Sequence, residues 1–455
     1  MKKFIDISFI VLTFTVLTLT SCKKSFFSDV NVNTNAPEAS SVVPAVLLST
    51  VEGALAYTVG GDFSRFSSII TQQTLGFSRQ AQGYNGYIFT SVDFDNVWGN
   101  LYTSVMENNK VLMQVSDSKQ ANAYSGISRI LMAYTLQVAV DTWGALPYSD
   151  AFKGYEGQLQ SKYDADKALY DTIIVLLNTA ITQLNNIGQD IYSPGAEDVI
   201  YGGNISKWLK FAHAIKARIY IHQSKGDVTM ANSALTELAQ SFTSNADNAK
   251  YIFGNTETAS NPWYQFNQQR ADIAFDESTL GLRLLADHDP RLTVYIDTAY
   301  NDVNGVGMGD YYGDIDAPVE LIAYDELLFM KAEATLIATG NIATAQGFYQ
   351  VGIRANMEKL NIPSADINNY IAANGTLPGS SAAAIAKVSA EEYTALYLNP
   401  EAWVLWRRNN SPVLTPAAGT AVPRRLLYPQ TEYSYNGANV PASVTLLAPK
   451  VFWDK

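Results

Sequence analysis

Apolar residues recur every three or four positions along much of this chain, and that spacing predicts amphipathic helices. The clearest helix starts at Asp164, a candidate N-cap, because a side-chain oxygen there accepts free N–H groups of the first turn. Its apolar stripe is Leu169, Ile173, Leu176, Ala180, Leu184 and Ile187. Three further stripes are Ile127, Leu131, Tyr134 and Val138; Trp208, Phe211, Ile215 and Ile219; and Leu321, Leu328, Ala332 and Thr335. The pattern predicts an all-α fold.

The stripes follow one another closely enough to predict helices in pairs. The predicted pairs are 93–115 with 119–142, 164–187 with 204–224, and 320–338 with 341–357. They resemble tetratricopeptide units without the full consensus of that repeat. No Gly/Ser linker divides the chain, so we expect a single helical domain over residues 41–455.

Two kinds of segment interrupt the helical pattern. From Asn409 onward, prolines oppose helix continuation because each lacks a backbone donor; they are Pro412, Pro416, Pro423, Pro429, Pro441 and Pro449. This region is predicted to be irregular and packed against the helices. Gly- and aromatic-rich stretches at 76–90, 254–270 and 301–316 predict long loops, which often carry binding sites.

The N-terminus has the pattern of a secretory signal. Lys2 and Lys3 precede an uncharged run over residues 7–20, which is too short for a membrane span of about 20 apolar residues. The sequence Leu19-Thr20-Ser21-Cys22 resembles a bacterial lipoprotein box, and Cys22 is the only cysteine. An ordinary signal peptide is the alternative. We therefore predict a signal peptide over 1–21, lipidation of Cys22, and a polar, flexible tether over 22–40.

The net charge of the chain indicates which classes of binding partner are disfavoured. The formal net charge of −12 disfavours nucleic acid and anionic lipid, because their binding depends on Lys and Arg contacts to phosphate. Membrane attachment is therefore expected to come from acyl chains on Cys22.

The catalytic and metal motifs that we sought are missing from the sequence. His213, His222 and His288 are scattered, and no HExxH, GxSxG or Walker sequence occurs. His222 continues an apolar stripe, so a core position is favoured. One Gly-rich loop offers oxygen ligands for calcium, but its spacing fails the EF-hand pattern and favours a solvated loop; these residues are Asp302, Asn304, Asp310, Asp314 and Asp316. No cofactor and no metal site are predicted.

Glu326 and Glu333 lie seven residues apart on one predicted helix face, and paired carboxylates can cleave glycosidic bonds. Both residues sit in an apolar helix, however, where a buried charge requires a partner. We favour a structural role, with Arg407 or Arg408 as the partner.

Several ordered segments resemble those of SusD/RagB-type outer-membrane lipoproteins, particularly the second SusD-like subfamily. The residues 141–151, Asp-Thr-Trp-Gly-Ala-Leu-Pro-Tyr-Ser-Asp-Ala, resemble the DxWGxxPYxxA signature of that family. Further similar segments are Tyr201-Gly202-Gly203-Asn204 with Lys207-Trp208, Asp289-Pro290-Arg291, Tyr324-Asp325-Glu326 leading to Ala332-Glu333-Ala334, Glu401-Ala402-Trp403 with Arg407-Arg408, Pro423-Arg424-Arg425 through Tyr428-Pro429, and Phe452-Trp453-Asp454.

The resemblance implies a fold, a role and a partner. The fold would be a SusD-like scaffold of TPR-like helix pairs with long irregular loops. The role would be non-enzymatic: a lipoprotein on the outer face of the outer membrane captures a nutrient and closes over a SusC-like TonB-dependent transporter. The ligand would be an oligosaccharide, with a peptide as the alternative. Lys23 and Lys24 depart from the acidic residues that often follow the lipidated cysteine of surface lipoproteins, so periplasmic orientation stays open.

Aromatic residues in the predicted loops are the candidate ligand contacts, because flat rings with polar edges suit sugar rings. The aromatic candidates are Tyr84, Tyr87, Trp263, Tyr264, Phe266, Tyr311 and Tyr312, and the neighbouring Arg270 is a polar candidate. The alternative for each aromatic residue is that it packs its own loop. Two other functional classes remain: an all-α glycan-degrading enzyme, which needs two carboxylates in an open cleft, and an adhesive surface protein, which would lack a concave aromatic site.

Overall fold

The computed structural model describes residues 43–188, 192–297, 307–419 and 421–455, of which Pro44–Lys455 form one compact unit. The signal peptide, Cys22 and the tether lie outside the described residues, as do Asp302 and Asn304. Their assignments, and the domain boundaries at 21/22 and 40/41, stay predictions.

Helices dominate the described residues, which confirms the predicted all-α class. The α-helices are α1 (Pro44–Thr58), α2 (Ser64–Ile70), α3 (Arg79–Asn85), α4 (Asp95–Gly99), α5 (Asn108–Ser118), α6 (Asn122–Trp143), α7 (Asp166–Asn185), α8 (Ile205–His222), α9 (Val228–Leu238), α10 (Pro262–Gln269), α11 (Thr279–Ala286), α12 (Leu292–Tyr295), α13 (Asp310–Gly313), α14 (Tyr324–Thr339), α15 (Ile342–Lys359), α16 (Ser364–Asn374), α17 (Ser381–Ala395), α18 (Glu401–Asn409) and α19 (Gln430–Tyr435). Two π-helical segments, Val59–Phe63 and Asn100–Glu107, join α1 to α2 and α4 to α5.

Two short antiparallel sheets connect distant parts of the chain. Strand β1 (Leu75–Gly76) pairs with β3 (Ile273–Ala274), and β2 (Ala249–Ile252) pairs with β4 (Pro318–Ile322). The first sheet requires a glycine, because a Cβ atom on Gly76 would lie 2.0 Å from the backbone oxygen of Ala81. The pairing of β1 with β3 holds α3 close to the segment that follows α10.

The predicted helix pairs are present, with different extents and an additional partner. The segment 95–118 packs on α6, and α14 packs on α15. Helix α7 contacts α8 as predicted but packs more extensively on α6, while α8 packs mainly on α9, which the stripe pattern missed. Helix α7 also begins at Asp166 rather than Asp164, and Leu177 rather than Leu176 is fully buried in its stripe.

The prediction of three long loops was partly wrong, because each of the three segments contains a short helix. Segments 76–90, 254–270 and 301–316 contain α3, α10 and α13. Helix α10 starts where it does because the Asn261 side chain accepts hydrogen bonds from the N–H groups of Trp263 and Tyr264, and Pro262 occupies the first turn. This N-cap signal was present in the sequence.

The described side chains form two apolar cores. The larger core joins α1, α6, α7 and α8 and includes the C-terminal Trp453. The smaller core joins α10, α11, α14, α15 and α17. The C-terminal region from Asn410 is irregular except for α19, and it crosses the larger core, where Trp143 donates a hydrogen bond from Nε1 to the Leu427 oxygen at 3.0 Å. Gly144 ends α6 at a φ of +80°, which suits a glycine.

Glu326 and Glu333 are both paired with arginines, and the predicted arginine partners are half right. Arg408 pairs with Glu333 at 2.8 Å, as predicted. Glu326 pairs instead with Arg218 at 2.6 Å, while the Arg407 guanidinium donates to the backbone carbonyl oxygen of Asp141 at 2.6 Å. Both glutamates are about 1% exposed. This carboxylate pair therefore lies in the interior rather than in an open cleft, which removes it as a glycosidase site.

Candidate functional site

Two of the eight ligand candidates lie deep in the cores. Trp263 is only 2% exposed and donates from Nε1 to Ser64 Oγ at 2.8 Å. Tyr87 is buried, and its hydroxyl accepts a hydrogen bond from Gln72 Nε2 at 3.2 Å. The sequence placed both residues in loops, whereas the folded chain covers most of each ring.

Two other candidates are held by their neighbours, and a third is half-buried. Tyr312 packs its ring edge-on against Tyr295 and Tyr397, at centroid distances of 5.5 and 5.1 Å. Tyr311 donates its hydroxyl to Glu320 Oε1 at 3.2 Å. Tyr264 is half-buried on α10. Tyr311 and Tyr312 therefore contact other protein groups, and Tyr312 packs on rings outside its own loop.

The remaining three candidates, Tyr84, Phe266 and Arg270, converge on one cavity of about 270 Å³. We call it the Tyr84 cavity. It lies where the two cores meet, since Phe66 belongs to the larger core and Ile69 and Ile273 to the smaller. Its lining is Asp62, Arg65, Phe66, Ile69, Gln80, Ala81, Tyr84, Asp93, Asn96, Phe266, Gln269, Arg270 and Ile273.

Tyr84 presents an oriented aromatic ring to this cavity. The Tyr84 ring stacks on the Phe89 ring, with 4.9 Å between centroids and 12° between planes. The Phe66 ring meets it edge-on, with 5.4 Å between centroids. Its hydroxyl donates to Asp93 Oδ1 at 2.8 Å. Burial, with Asp93 nearby, raises the pKa of Tyr84, so the phenol stays neutral and can donate.

Asp93 anchors the wall behind Tyr84. Its Oδ2 accepts hydrogen bonds from the Thr90 backbone N–H at 2.7 Å and from Thr90 Oγ1 at 2.8 Å, and Oδ1 accepts from Gln80 Nε2 at 2.9 Å. Burial alone would raise the pKa of Asp93, but the hydrogen bonds from Thr90 and Tyr84 outweigh it and lower that pKa. Asp93 is therefore a carboxylate at neutral pH.

Phe266 is flanked by two guanidinium groups. Arg65 lies 4.9 Å from its ring centroid and Arg270 lies 5.3 Å from it, both within cation–π range. Arg65 forms an ion pair with Asp62, and Arg270 with Asp272. Phe266 therefore has cationic neighbours, whereas Tyr84 has the aromatic neighbours Phe89 and Phe66.

Sequence reasoning missed the polar half of the Tyr84 cavity: Asp62, Arg65, Gln80, Asp93, Asn96 and Gln269. One signal was available, because Asp62 and Arg65 are the only charged residues between Glu52 and Arg79 and lie three residues apart, a spacing that permits an ion pair. The meeting of α2 with α10, about 200 residues later, had no local signal.

A second surface cavity, of about 560 Å³, is lined by the acidic residues Asp297, Asp310, Asp314 and Asp316 together with Tyr311. Burial and the neighbouring Asp310 and Asp316 raise the pKa of Asp314. The chain next to this cavity, 298–306, lies outside the described residues, and with it Asp302 and Asn304 of the acidic loop. That this acidic loop is solvated rather than bound to calcium stays a prediction.

A buried cluster of potential metal ligands has a structural explanation. The ligand atoms of Asp141, His222 and Glu401 lie within 4.8 Å of one another. His222 Nε2 lies 2.7 Å from Glu401 Oε1, and Asp141 accepts hydrogen bonds from Tyr170 and Trp453. Because these atoms bind protein groups, the cluster is a hydrogen-bond network that joins α6, α7, α8 and α18. His222 is fully buried, as predicted.

No helix within the described residues combines the length and apolar character that a membrane crossing requires. No curated protein matches the chain. Solved structures do match: a SusD/RagB family protein from Bacteroides thetaiotaomicron has 22% identity and a TM-score of 0.76, with coverage of 91% of this chain and 99% of its own.

Two further structures are similar over nearly the same span. One, named a chitin-binding protein, has 21% identity and a TM-score of 0.76, covering 90% of this chain and 100% of its own. A SusD homologue from Bacteroides fragilis has 22% identity and a TM-score of 0.74, covering 91% and 100%. At these identities the likeness shows the fold.

A family model described as starch-binding and associating with the outer membrane matches residues 35–429, which is most of the chain and includes every residue of the Tyr84 cavity. The chain therefore belongs to the second SusD-like family, whose description is starch-binding with association at the outer membrane.

Proposed function

We propose that this protein is a non-enzymatic, nutrient-binding lipoprotein that captures an oligosaccharide in the Tyr84 cavity and passes it to a SusC-like TonB-dependent transporter. Acyl chains on Cys22 would hold it on the outer face of the outer membrane. The observation that carries the ligand class is the Tyr84 ring, which is stacked on Phe89 and surrounded by polar side chains. An aromatic face with hydrogen-bonding groups at its edge suits a sugar ring.

The ligand contact is tested by the Tyr84→Ala substitution. We expect glycan affinity to fall about tenfold, since loss of one aromatic contact removes about 1.4 kcal/mol. Isothermal titration calorimetry with malto-oligosaccharides and chito-oligosaccharides measures the change, and a peptide panel covers the alternative ligand class. These ligands are chosen because the family is described as starch-binding and one structural relative is named a chitin-binding protein.

Tyr435→Ala is the matched control, because Tyr435 is 76% exposed and is not among the residues that line the Tyr84 cavity. The control should keep the affinity of the unaltered protein. Equal affinities for Tyr84→Ala and the unaltered protein would place the ligand elsewhere. Binding of peptides, with no binding of either glycan, would replace the oligosaccharide in the proposal.

The membrane anchor and the partner are tested in cells. Cys22→Ser should release the protein from the membrane fraction, because residue 22 then lacks the thiol that would carry an acyl group. A tag after Lys455 should co-purify a large TonB-dependent barrel from detergent-solubilised membranes. Protection from added protease on intact cells would indicate an inward-facing lipoprotein, and purification without the barrel would remove the transporter from the proposal.

A further inference from the structure

Charged side chains that line the Tyr84 cavity already have protein partners. Arg65 is paired with Asp62 on the same helical stretch, and Arg270 is paired with Asp272 just after α10. Asp93 accepts hydrogen bonds from Thr90, Tyr84 and Gln80. A ligand that enters the cavity therefore meets guanidinium groups whose charge is already neutralised.

The charges of the lining also cancel. Asp62 and Asp93 balance Arg65 and Arg270, while the carboxylate of Asp272 behind Arg270, with a side chain only 1% exposed, is itself balanced by Arg79, whose Nη1 lies 3.7 Å from its Oδ1. The whole chain carries a net charge of −12. An acidic ligand would thus lose hydration without gaining an unpaired cation, and its approach would be opposed by the field of the protein.

The polar groups that remain for a ligand are uncharged or have spare hydrogen-bonding capacity. Gln80, Asn96 and Gln269 line the cavity with amides, which both donate and accept hydrogen bonds. Hydroxyl groups also donate and accept. The lining therefore matches the hydroxyls of a neutral sugar better than a carboxylate or a sulfate.

We propose that the ligand of this cavity is an uncharged oligosaccharide, and that Asp62 and Asp272 determine specificity by neutralising Arg65 and Arg270 so that acidic glycans are excluded. This inference rests on the proposed function, because it assigns the class of sugar that the same cavity accepts.

The Asp62→Asn substitution tests the inference by leaving Arg65 without its carboxylate. The probes are oligogalacturonate, which is acidic, and malto- and chito-oligosaccharides, which are neutral. We expect the unaltered protein to bind oligogalacturonate at least about tenfold more weakly than a neutral glycan. The Asp62→Asn variant should gain about tenfold in oligogalacturonate affinity, and high salt should abolish the gain because it screens the new pair.

Two further variants keep the result interpretable. Asp171→Asn also removes the carboxylate of a local ion pair, but its partner Lys167 is exposed on α7, away from the cavity lining, so no gain is expected. Adding Arg65→Gln to Asp62→Asn should cancel the gain, since the freed cation is then removed. Circular dichroism and thermal unfolding verify that each variant is folded.

The outcomes separate this inference from the proposed function. Equal affinity of the unaltered protein for acidic and neutral glycans would overturn the neutral-sugar assignment and leave glycan capture in place. An unchanged oligogalacturonate affinity in folded Asp62→Asn, or an equal gain in Asp171→Asn, would overturn the role of Asp62. Failure of the unaltered protein and all variants to bind any glycan would overturn both proposals.

Discussion

Glu52 on α1 is a carboxyl group buried beside a second acid. The Val199 N–H donates to its Oε2 at 2.8 Å, but Oε1 has no hydrogen-bond partner among the described residues. Burial, and then the negative charge of Asp198, raise the pKa of Glu52 to about 10. Tyr251 also faces this carboxyl group. Glu52 therefore stays protonated in the folded protein at neutral pH.

This raised pKa predicts a stability that falls as pH increases. Between the unfolded pKa of 4.5 and the folded pKa of about 10, the folded state holds the Glu52 proton more tightly than the unfolded state. The free energy of unfolding should fall with a contribution of up to about 1.4 kcal/mol per pH unit in that window. Glu52→Gln should remove this contribution and stabilise the protein above neutral pH, as measured by urea unfolding from pH 5 to pH 8.

Glu257→Gln is the control for that series, because Glu257 is exposed on the surface. It should retain the pH dependence of the unaltered protein. An identical pH slope for Glu52→Gln and the unaltered protein would show that Glu52 ionises normally in the folded state.

The adjacent residues Arg407 and Arg408 show that residue type alone does not determine which group a buried side chain contacts. Arg407 and Arg408 both suit a buried acidic partner, yet only Arg408 reaches Glu333, at 2.8 Å. Arg407 packs over the Trp403 and Trp453 rings, at 4.2 and 4.8 Å from their centroids. Consecutive helical positions point about 100° apart, so the direction of α18 against its neighbours decides which arginine meets which group.

At the scale of elements, a glycine sets the distance between α6 and α7. A Cβ atom on Gly126 would lie 2.7 Å from Leu184 Cγ and 3.2 Å from the Ala180 oxygen. The two helices form the most extensive helix pair among the described residues. A larger side chain at Gly126 would therefore push α7 outward.

Gly126→Val should lower the free energy of unfolding by about 2 kcal/mol, because overpacking a close contact costs about 1–3 kcal/mol. Chemical denaturation measures the loss. Gly347→Ala on α15 is the control, since no atom lies within 4 Å of the added Cβ and alanine favours helices by about 1 kcal/mol. A stable Gly126→Val variant would mean that α7 can move away without cost.

Local signals predicted some elements better than others. The amphipathic helices α6, α7, α8 and α14 have clear stripes. Helices α3 and α10 were hidden because Gly and aromatic residues are also common in loops, and the Asn261 cap carried the decisive signal for α10. Pairing of β1 with β3 spans about 200 residues and has no local sequence signature.

At the scale of the whole molecule, the C-terminus closes the larger core. Trp453 is fully buried and donates from Nε1 to Asp141 Oδ1 at 2.9 Å, and the Arg407 guanidinium lies over its ring. The final residues thereby connect α6 with α18. An irregular tail thus contributes to the same network as the helices.

Trp453→Ala should destabilise the protein by about 4 kcal/mol, because the packing of a fully buried Trp is lost and Asp141 loses one of its hydrogen-bond donors. Differential scanning calorimetry measures the decrease in Tm. Tyr435→Ala is the surface control, because Tyr435 is 76% exposed, and it should leave Tm unchanged. An unchanged Tm for Trp453→Ala would show that the tail is dispensable for the fold.

The sequence by itself determined the helical class, the buried position of His222 and the family resemblance, because periodicity and ordered motifs are local properties of a chain. Only the tertiary structure decided which aromatic residues are exposed, which arginine neutralises which glutamate, and that Tyr84, Phe266 and Arg270 share a cavity with Asp62 and Asp93. Those outcomes depend on contacts between segments far apart in sequence, where packing, rather than residue type, decides what each side chain meets.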